Sequence, residues 1–329
     1  MPTVSLCMLY NGEEDYLHQC LMNVKDAADE IIVVVDKGKT SKVAEGFGAK
    51  IVEHEWDDDF SAARNVSLEN AIKEWVFVLD ADEVLVYDDL VKLKEMAVGD
   101  TVAFMLNQIN YTNDTNQMRF VKASNLFTEK FGFAGYFVVP TIRFFRNGMG
   151  FSFKRRVHEL IDESIIEKGL EGRIKESGIP IHHLKMLKGN LLESEKRYIA
   201  LSEKEIADNP SNYKAHYDIG IISIFSTKDF EKAEMHLKNS MEIEPDFSEA
   251  RTALGYLYFR MKKYEEALKA FEEAFVHGSN PQMQANIGSC LFMLGRHKEA
   301  AESYKKAIGL GHPDKSELEE KIKQIEMFY

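Results

Sequence analysis

Trp75–Leu85 reads WVFVLDADEVL. Five apolar residues, four of them aromatic or β-branched, predict a short buried strand, and the abrupt change at Asp80-Ala81-Asp82-Glu83 predicts its end. The same pattern repeats on the N-terminal side. Thr3–Leu9 is a continuous apolar run that stops at Tyr10-Asn11-Gly12, and an acidic helix start follows with Leu17, Cys20, Leu21 and Val24 at helical spacing. Glu30–Val35 (EIIVVV) predicts a second strand ending at Asp36-Lys37-Gly38, and Lys50–Glu53 a third. A helix from about Phe60 to Lys73 then leads back into WVFVL. Near-continuous apolar strands separated by helices indicate a mostly parallel sheet covered on both faces, with ligands bound beyond the carboxyl ends of its strands. Asn11, Asp36, Asp80 and Asp82 all stand at such ends. Asp and Asn also terminate strands and cap helices, so each position carries that plainer reading beside the functional one. Beyond Asp82, Thr101–Asn110, Asn125–Phe127, Phe137–Val139 and Thr141–Phe145 read as short strands of a mixed or antiparallel half.

The last third has a different period. Gly220, Gly255 and Gly288 recur at intervals of 35 and 33, and Ala233, Ala267 and Ala300 at 34 and 33. A large apolar residue (Leu237, Phe271, Tyr304) follows each alanine by four positions. This is a helix-turn-helix unit with small residues where helices cross closely, and it resembles the tetratricopeptide repeat from about Tyr213 to Pro313, closed by a polar helix at Lys315–Met327. Stacked repeats present an extended concave surface suited to a peptide or protein. Buttressing of the first domain, or homodimerisation, is the alternative role.

Composition narrows the function. A formal charge of −13 argues against a nucleic-acid partner, since reading a phosphate backbone needs a basic face. Cys7, Cys20 and Cys290 form no CxxC pair and read as reduced thiols, Cys7 as a core residue. There is no basic leader before the first acidic residues, and no apolar stretch reaches the roughly 18 residues that span a bilayer. A cytoplasmic protein is expected.

Two aspartates one residue apart at a strand end offer hard oxygen ligands to a divalent cation. Beside a nucleotide diphosphate, such a cation neutralises charge developing on the leaving group. With SLCMLYNGEEDYLHQCL, DEIIVVVD, EWDDDFSAARN, VLDADE, RFFRN and VHE in this order over Thr3–Glu159, and IHHLKM (Ile181–Met186) as a weaker closing match, the chain resembles the family 2 inverting glycosyltransferases of GT-A fold. The nearest likeness is to the bacterial branch with C-terminal tetratricopeptide repeats, which includes peptide S-glycosyltransferases.

The resemblance implies an α/β GT-A, Rossmann-like nucleotide-diphospho-sugar transferase domain at 1–188, a helical linker at 189–212, and an all-α tetratricopeptide-repeat array at 213–329. It implies a UDP-sugar donor, a peptide or protein acceptor, and Mn²⁺ or Mg²⁺. By position, Asp36 would bond the uracil or ribose, Tyr10 and Asn11 would line the nucleotide pocket, and Arg64 would help hold nucleotide and diphosphate. Asp80 would contact the ribose or a metal-bound water. Asp82 would ligate the metal with His158 in its shell, and Glu159 is the candidate base, with Asp162 and Glu163 behind it and His183 a weaker site candidate. Each residue keeps a structural alternative, such as packing for Tyr10 or an ion pair with Asp57–Asp59 for Arg64. One departure stands out: DKGKTSKVAEGFGAK places Ser41 where the family has a second acidic residue, in a shorter connection. Transfer to a surface glycan, or a non-catalytic repeat adaptor, are the rival readings.

Overall fold

The computed structural model describes residues 1–12, 14–113, 115, 120–157, 159–184, 191–275, 280–312 and 314–327. It divides into two compact units, Met1–Leu191 and Leu192–Tyr329. In the first, β1 (Val4–Tyr10), α1 (Glu14–Val24), β2 (Glu30–Asp36), α2 (Lys42–Gly46), β3 (Lys50–His54), α3 (Phe60–Asn70) and β4 (Trp75–Val78) alternate as expected. Then come β5 (Glu83–Val84), α4 (Tyr87–Met96), β6 (Ala103–Thr112), β7 (Val121–Lys122), α5 (Leu126–Phe131), β8 (Gly135–Arg146), α6 (Asp162–Glu167) and β9 (Ile174–His183).

One sheet runs β3-β2-β1-β4-β8-β6-β9-β5, with β7 on β8. Its first four strands are parallel, and β8 enters antiparallel to β4. Alternation sends Val4, Leu6 and Met8 of β1 to one face, where they pack with Leu17 and Leu21 of α1 and Leu90 and Leu93 of α4. Cys7, Ile32, Val76 and Val78 face the other side, against Phe145, Phe153, Ile161 and Ile165. Both faces are therefore covered, as a sheet of continuous apolar strands requires.

Two expectations need correction. Asn125–Phe127 is not a strand. Asn125 caps α5, accepting from the Phe127 and Thr128 amides at 3.0 Å each, while Thr128 Oγ1 accepts from the Asn125 amide at 2.7 Å. This reciprocal box satisfies otherwise orphaned amides and outweighs the strand preference of a three-residue run. Phe137–Val139 and Thr141–Phe145 are one strand, β8, continuous through Pro140. The proline is tolerated because β4 pairs only with Phe144–Arg146, leaving that side of Pro140 without a ladder partner among the described residues.

The second unit holds α7 (Leu191–Asp208), α8 (Tyr213–Ile222), α9 (Phe230–Ile243), α10 (Ser248–Arg260), α11 (Tyr264–Phe275), α12 (Pro281–Met293), α13 (His297–Gly309) and α14 (Lys315–Glu326). The periodic glycines mark the helix crossings: a Cβ added at Gly220, Gly255 or Gly288 would lie 2.7, 2.6 or 2.7 Å from Leu237, Phe271 or Tyr304. Gly255→Ala is accordingly expected to destabilise the array by about 1–3 kcal/mol of overpacking, less the propensity that alanine adds. Gly309→Ala, where nothing lies within 4 Å, serves as the control in urea unfolding. No helix among the described residues is long and apolar enough to cross a membrane.

Between α8 and α9, His216 and His236 meet through their Nδ1 atoms at 2.9 Å, each residue 7% exposed. One ring must donate and the other accept, so the contact is lost when both rings are protonated. Burial, then His216, then Lys232 push His236 down to about 4, and burial also lowers His216. Unfolded histidine titrates near about 6.5. The unfolded chain therefore binds more protons as pH falls from there toward 4, and the array loses stability across that window. About 2 kcal/mol should be lost by pH 5. Urea midpoints at pH 7 and 5 test this, and replacing both histidines with glutamine should flatten the difference.

Candidate active site

The site grows from the end of β4. Cys7 of β1 is level with Val78, and the Leu79 amide still donates to the Cys7 carbonyl, so the backbone leaves the sheet at Asp80. A tight turn follows. The Glu83 amide donates to the Asp80 carbonyl at 3.0 Å, and Glu83 Oε2 accepts from the Asp80 amide at 2.8 Å. Glu83 is fully buried and opens β5, which pairs antiparallel with β9, Glu83 against His183.

Two arginines converge on this turn. Asp59 caps α3 by accepting from the Ala62 amide, and Arg64 projects from that helix's first turns with 4% exposure. Arg64 Nη2 donates to Asp80 Oδ1 at 2.7 Å and Nε to Glu159 Oε1 at 2.6 Å, with the guanidinium over the Phe153 ring. Arg143 Nη2 donates to both Asp80 Oδ2 and Glu83 Oε1 at 3.1 Å, and Gln108 Nε2 adds a bond to Glu83 Oε1. Burial by itself would raise the Asp80 carboxyl, but Arg64 and Arg143 overcome it and hold the group well below the usual carboxylate range. For Glu83 burial wins over Arg143, and the carboxyl is raised. Burial would lower Arg64, yet Asp80 and Glu159 keep it raised and charged.

Asp82 is separate from this cluster. Its Oδ2 lies 3.5 Å from His183 Nε2, and His183 Nδ1 meets Asn110 Oδ1 at 2.7 Å. Burial would lower His183, but its bond and charge contact with Asp82, then Glu83, raise it overall. Among the described residues no three His, Cys, Asp or Glu side chains are arranged to hold a metal, and His158 lies outside the described residues. What remains is an open site. Asp82 presents a carboxylate 19% exposed beside an imidazole, while both oxygens of Asp80 are taken by arginines. That set fits a hard cation of the Mg²⁺ kind, which keeps waters and shares substrate phosphates instead of occupying an all-protein cage.

The nucleotide-side candidates share the same sheet edge. Half-buried Tyr10 is level with Val35, one residue before Asp36, and exposed Asn11 follows it. Lys39 and then the Trp56 amide hold the Asp36 carboxyl below its ordinary range: Lys39 Nζ is 3.2 Å from Oδ2, and Oδ1 accepts from the Trp56 and Lys37 amides. Ser41 caps α2, accepting from the Ala44 amide at 3.1 Å and donating to Glu14 at 3.0 Å. Here Ser41 serves the fold. Burial pushes the Cys7 thiol up to about 12, which leaves it inert.

The structure thus joins Arg64, Asp80 and Glu159 directly, and puts Asp82 against His183. It adds Glu83, Gln108, Asn110 and Arg143, to which the sequence reading gave no role. A charged residue beginning the apolar run RFF was the available signal for Arg143; the polar residues of β6 offered none.

The glycosyl transferase family 2 model matches residues 5–161, and a tetratricopeptide repeat model matches residues 246–314. The TPR repeat-containing protein Synpcc7942_0270 of Synechococcus elongatus is 35% identical over 170 residues, covering 50% of this chain and 37% of that protein. The SPbeta prophage-derived glycosyltransferase SunS of Bacillus subtilis is 31% identical over 101 residues, 29% of this chain and 24% of that protein. The chain spans well under half the length of these curated relatives. Among solved structures, TTC0263, a thermophilic TPR protein of Thermus thermophilus, aligns with a TM-score of 0.35 and 15% identity, covering 42% of this chain and 75% of that one. The chain therefore carries a glycosyltransferase domain of family 2, followed by tetratricopeptide repeats.

Proposed function

We propose that residues 1–188 transfer a sugar from a UDP-sugar to a peptide or protein side chain with inversion, assisted by Mn²⁺ or Mg²⁺. Residues 189–212 act as a helical linker, and the repeats at 213–329 present the acceptor. The observation that carries the reading is the link from Arg64 to both Asp80 and Glu159, which ties the carboxyl edge of the parallel strands to the candidate base.

In this reading Asp80, held ionised by two guanidinium groups, contacts the ribose or a metal-bound water. Tyr10, Asn11 and Asp36 line the base and ribose side, and Arg64 lends positive charge near the diphosphate. Asp82, with His183 beside it and His158 by family likeness, holds the cation, which when bound neutralises charge on the departing diphosphate. Glu159 takes the acceptor's proton on the face opposite the leaving nucleotide, as inversion requires. The ion pair with Arg64 fixes where that carboxylate stands.

The test is nucleotide release from a panel of nucleotide sugars with Mn²⁺ and with Mg²⁺, in the presence and absence of candidate peptides. Release from a UDP-sugar that rises with a peptide supports the reading. No release from any donor overturns it, and release that rises only with glycan acceptors moves the acceptor to a surface glycan.

A further inference from the structure

Arg143 owes its reach to a break in the sheet. Along β6 and β8, Phe104 pairs with Phe144 and Met105 with Ile142, so Arg143 is the extra residue of a bulge. A bulge bends its strand and re-aims a side chain, and bulges gather beside functional sites. Here the guanidinium, with its side chain 12% exposed, is carried to the turn after β4. Its single Nη2 bridges Asp80 Oδ2 and Glu83 Oε1 at 3.1 Å each, and its buried Nε has no hydrogen-bond partner among the described residues.

Asp80 is thereby held at three points: Oδ1 by Arg64, Oδ2 by Arg143, and its amide by Glu83. Arg143 controls two of the three, one directly and one through Glu83. We propose that Arg143 is a positioning residue of the donor site, setting the orientation of the Asp80 carboxylate and with it the affinity for the nucleotide diphosphate. The proposal rests on the reading of Asp80 as a donor contact. Arg64 alone holds one oxygen of the carboxylate. The second guanidinium holds the other and narrows the rotation left about the Cβ–Cγ bond, so the carboxylate meets the nucleotide preorganised.

The experiment measures UDP binding with Mn²⁺ by calorimetry, and donor hydrolysis, in wild type, Arg143→Lys, and Arg143→Met combined with Glu83→Gln. The combined variant removes the charge of buried Glu83 together with that of Arg143 and leaves Asp80 paired with Arg64 through Oδ1, so it is expected to fold. It is expected to melt near the wild-type temperature yet bind UDP about tenfold more weakly, with KM raised more than kcat is lowered. Arg143→Lys keeps the charge but loses the planar fork, and should also weaken UDP binding while remaining folded. Wild-type UDP affinity in the folded combined variant would reduce Arg143 to a structural role and overturn the proposal. If the combined variant does not fold, unchanged UDP affinity in Arg143→Lys overturns it equally. Failure of the wild type itself to bind UDP instead removes the donor reading, and the proposal with it.

Discussion

Arg64→Met is expected to cost about 3–5 kcal/mol of stability in the first unit and to abolish donor turnover, because it takes the buried cation from Glu159 and one of two cations from Asp80. Arg64 is 4% exposed, and its bonds to Asp80 and Glu159 are 2.7 and 2.6 Å long. Removing the guanidinium leaves Arg143 as the remaining cation hydrogen-bonded to Asp80, which it already shares with Glu83. A loss of this size is a large part of a typical domain's stability of about 5–15 kcal/mol, so urea unfolding will resolve it. Adding Asp80→Asn and Glu159→Gln to Arg64→Met should recover most of the stability, since the stranded charges disappear, but none of the activity. A single variant that stays as stable as wild type would contradict the buried ion-pair network.

Asp82→Ala separates activity from stability in the opposite sense. Its carboxylate is 19% exposed and 3.5 Å from His183, at the margin of an ion pair, so its removal strands no fully buried charge. The melting temperature should move little. Turnover should fall at least about 100-fold, since even outer-shell partners of a metal ligand are worth 10–100-fold. Excess Mn²⁺ should restore part of the rate if the remaining donors still hold the ion weakly, and the metal dependence of the wild type provides the reference. Undiminished nucleotide release by Asp82→Ala would remove this residue from the metal site.

Much of the architecture is written locally in the chain. EIIVVV and WVFVL form strands because β-branched and aromatic runs of that length favour a doubly covered sheet, and β2 and β4 appear where those runs stand. The repeat period is equally local, because Gly220, Gly255 and Gly288 are needed wherever one helix packs a large side chain onto the next. The placement of Asp36, Asp80 and Asp82 at strand ends follows from the same pattern. Local signals failed where a short motif had two uses: Asn125 and Thr128 form a cap in place of a strand.

The partnerships inside the site were decided only by tertiary structure. Arg64 had Asp57–Asp59 as near neighbours in sequence, yet Asp59 caps α3 and Arg64 turns to Asp80 and Glu159, the latter 95 residues away. His183 reaches Asp82 because β5 pairs with β9, and Arg143 reaches Asp80 because β8 bulges beside β6. Hydrophobic periodicity needs only neighbouring residues and is legible in one sequence. Ion pairs across the sheet depend on strand order, register and a one-residue slip, and a slip of one residue reverses the face a side chain meets.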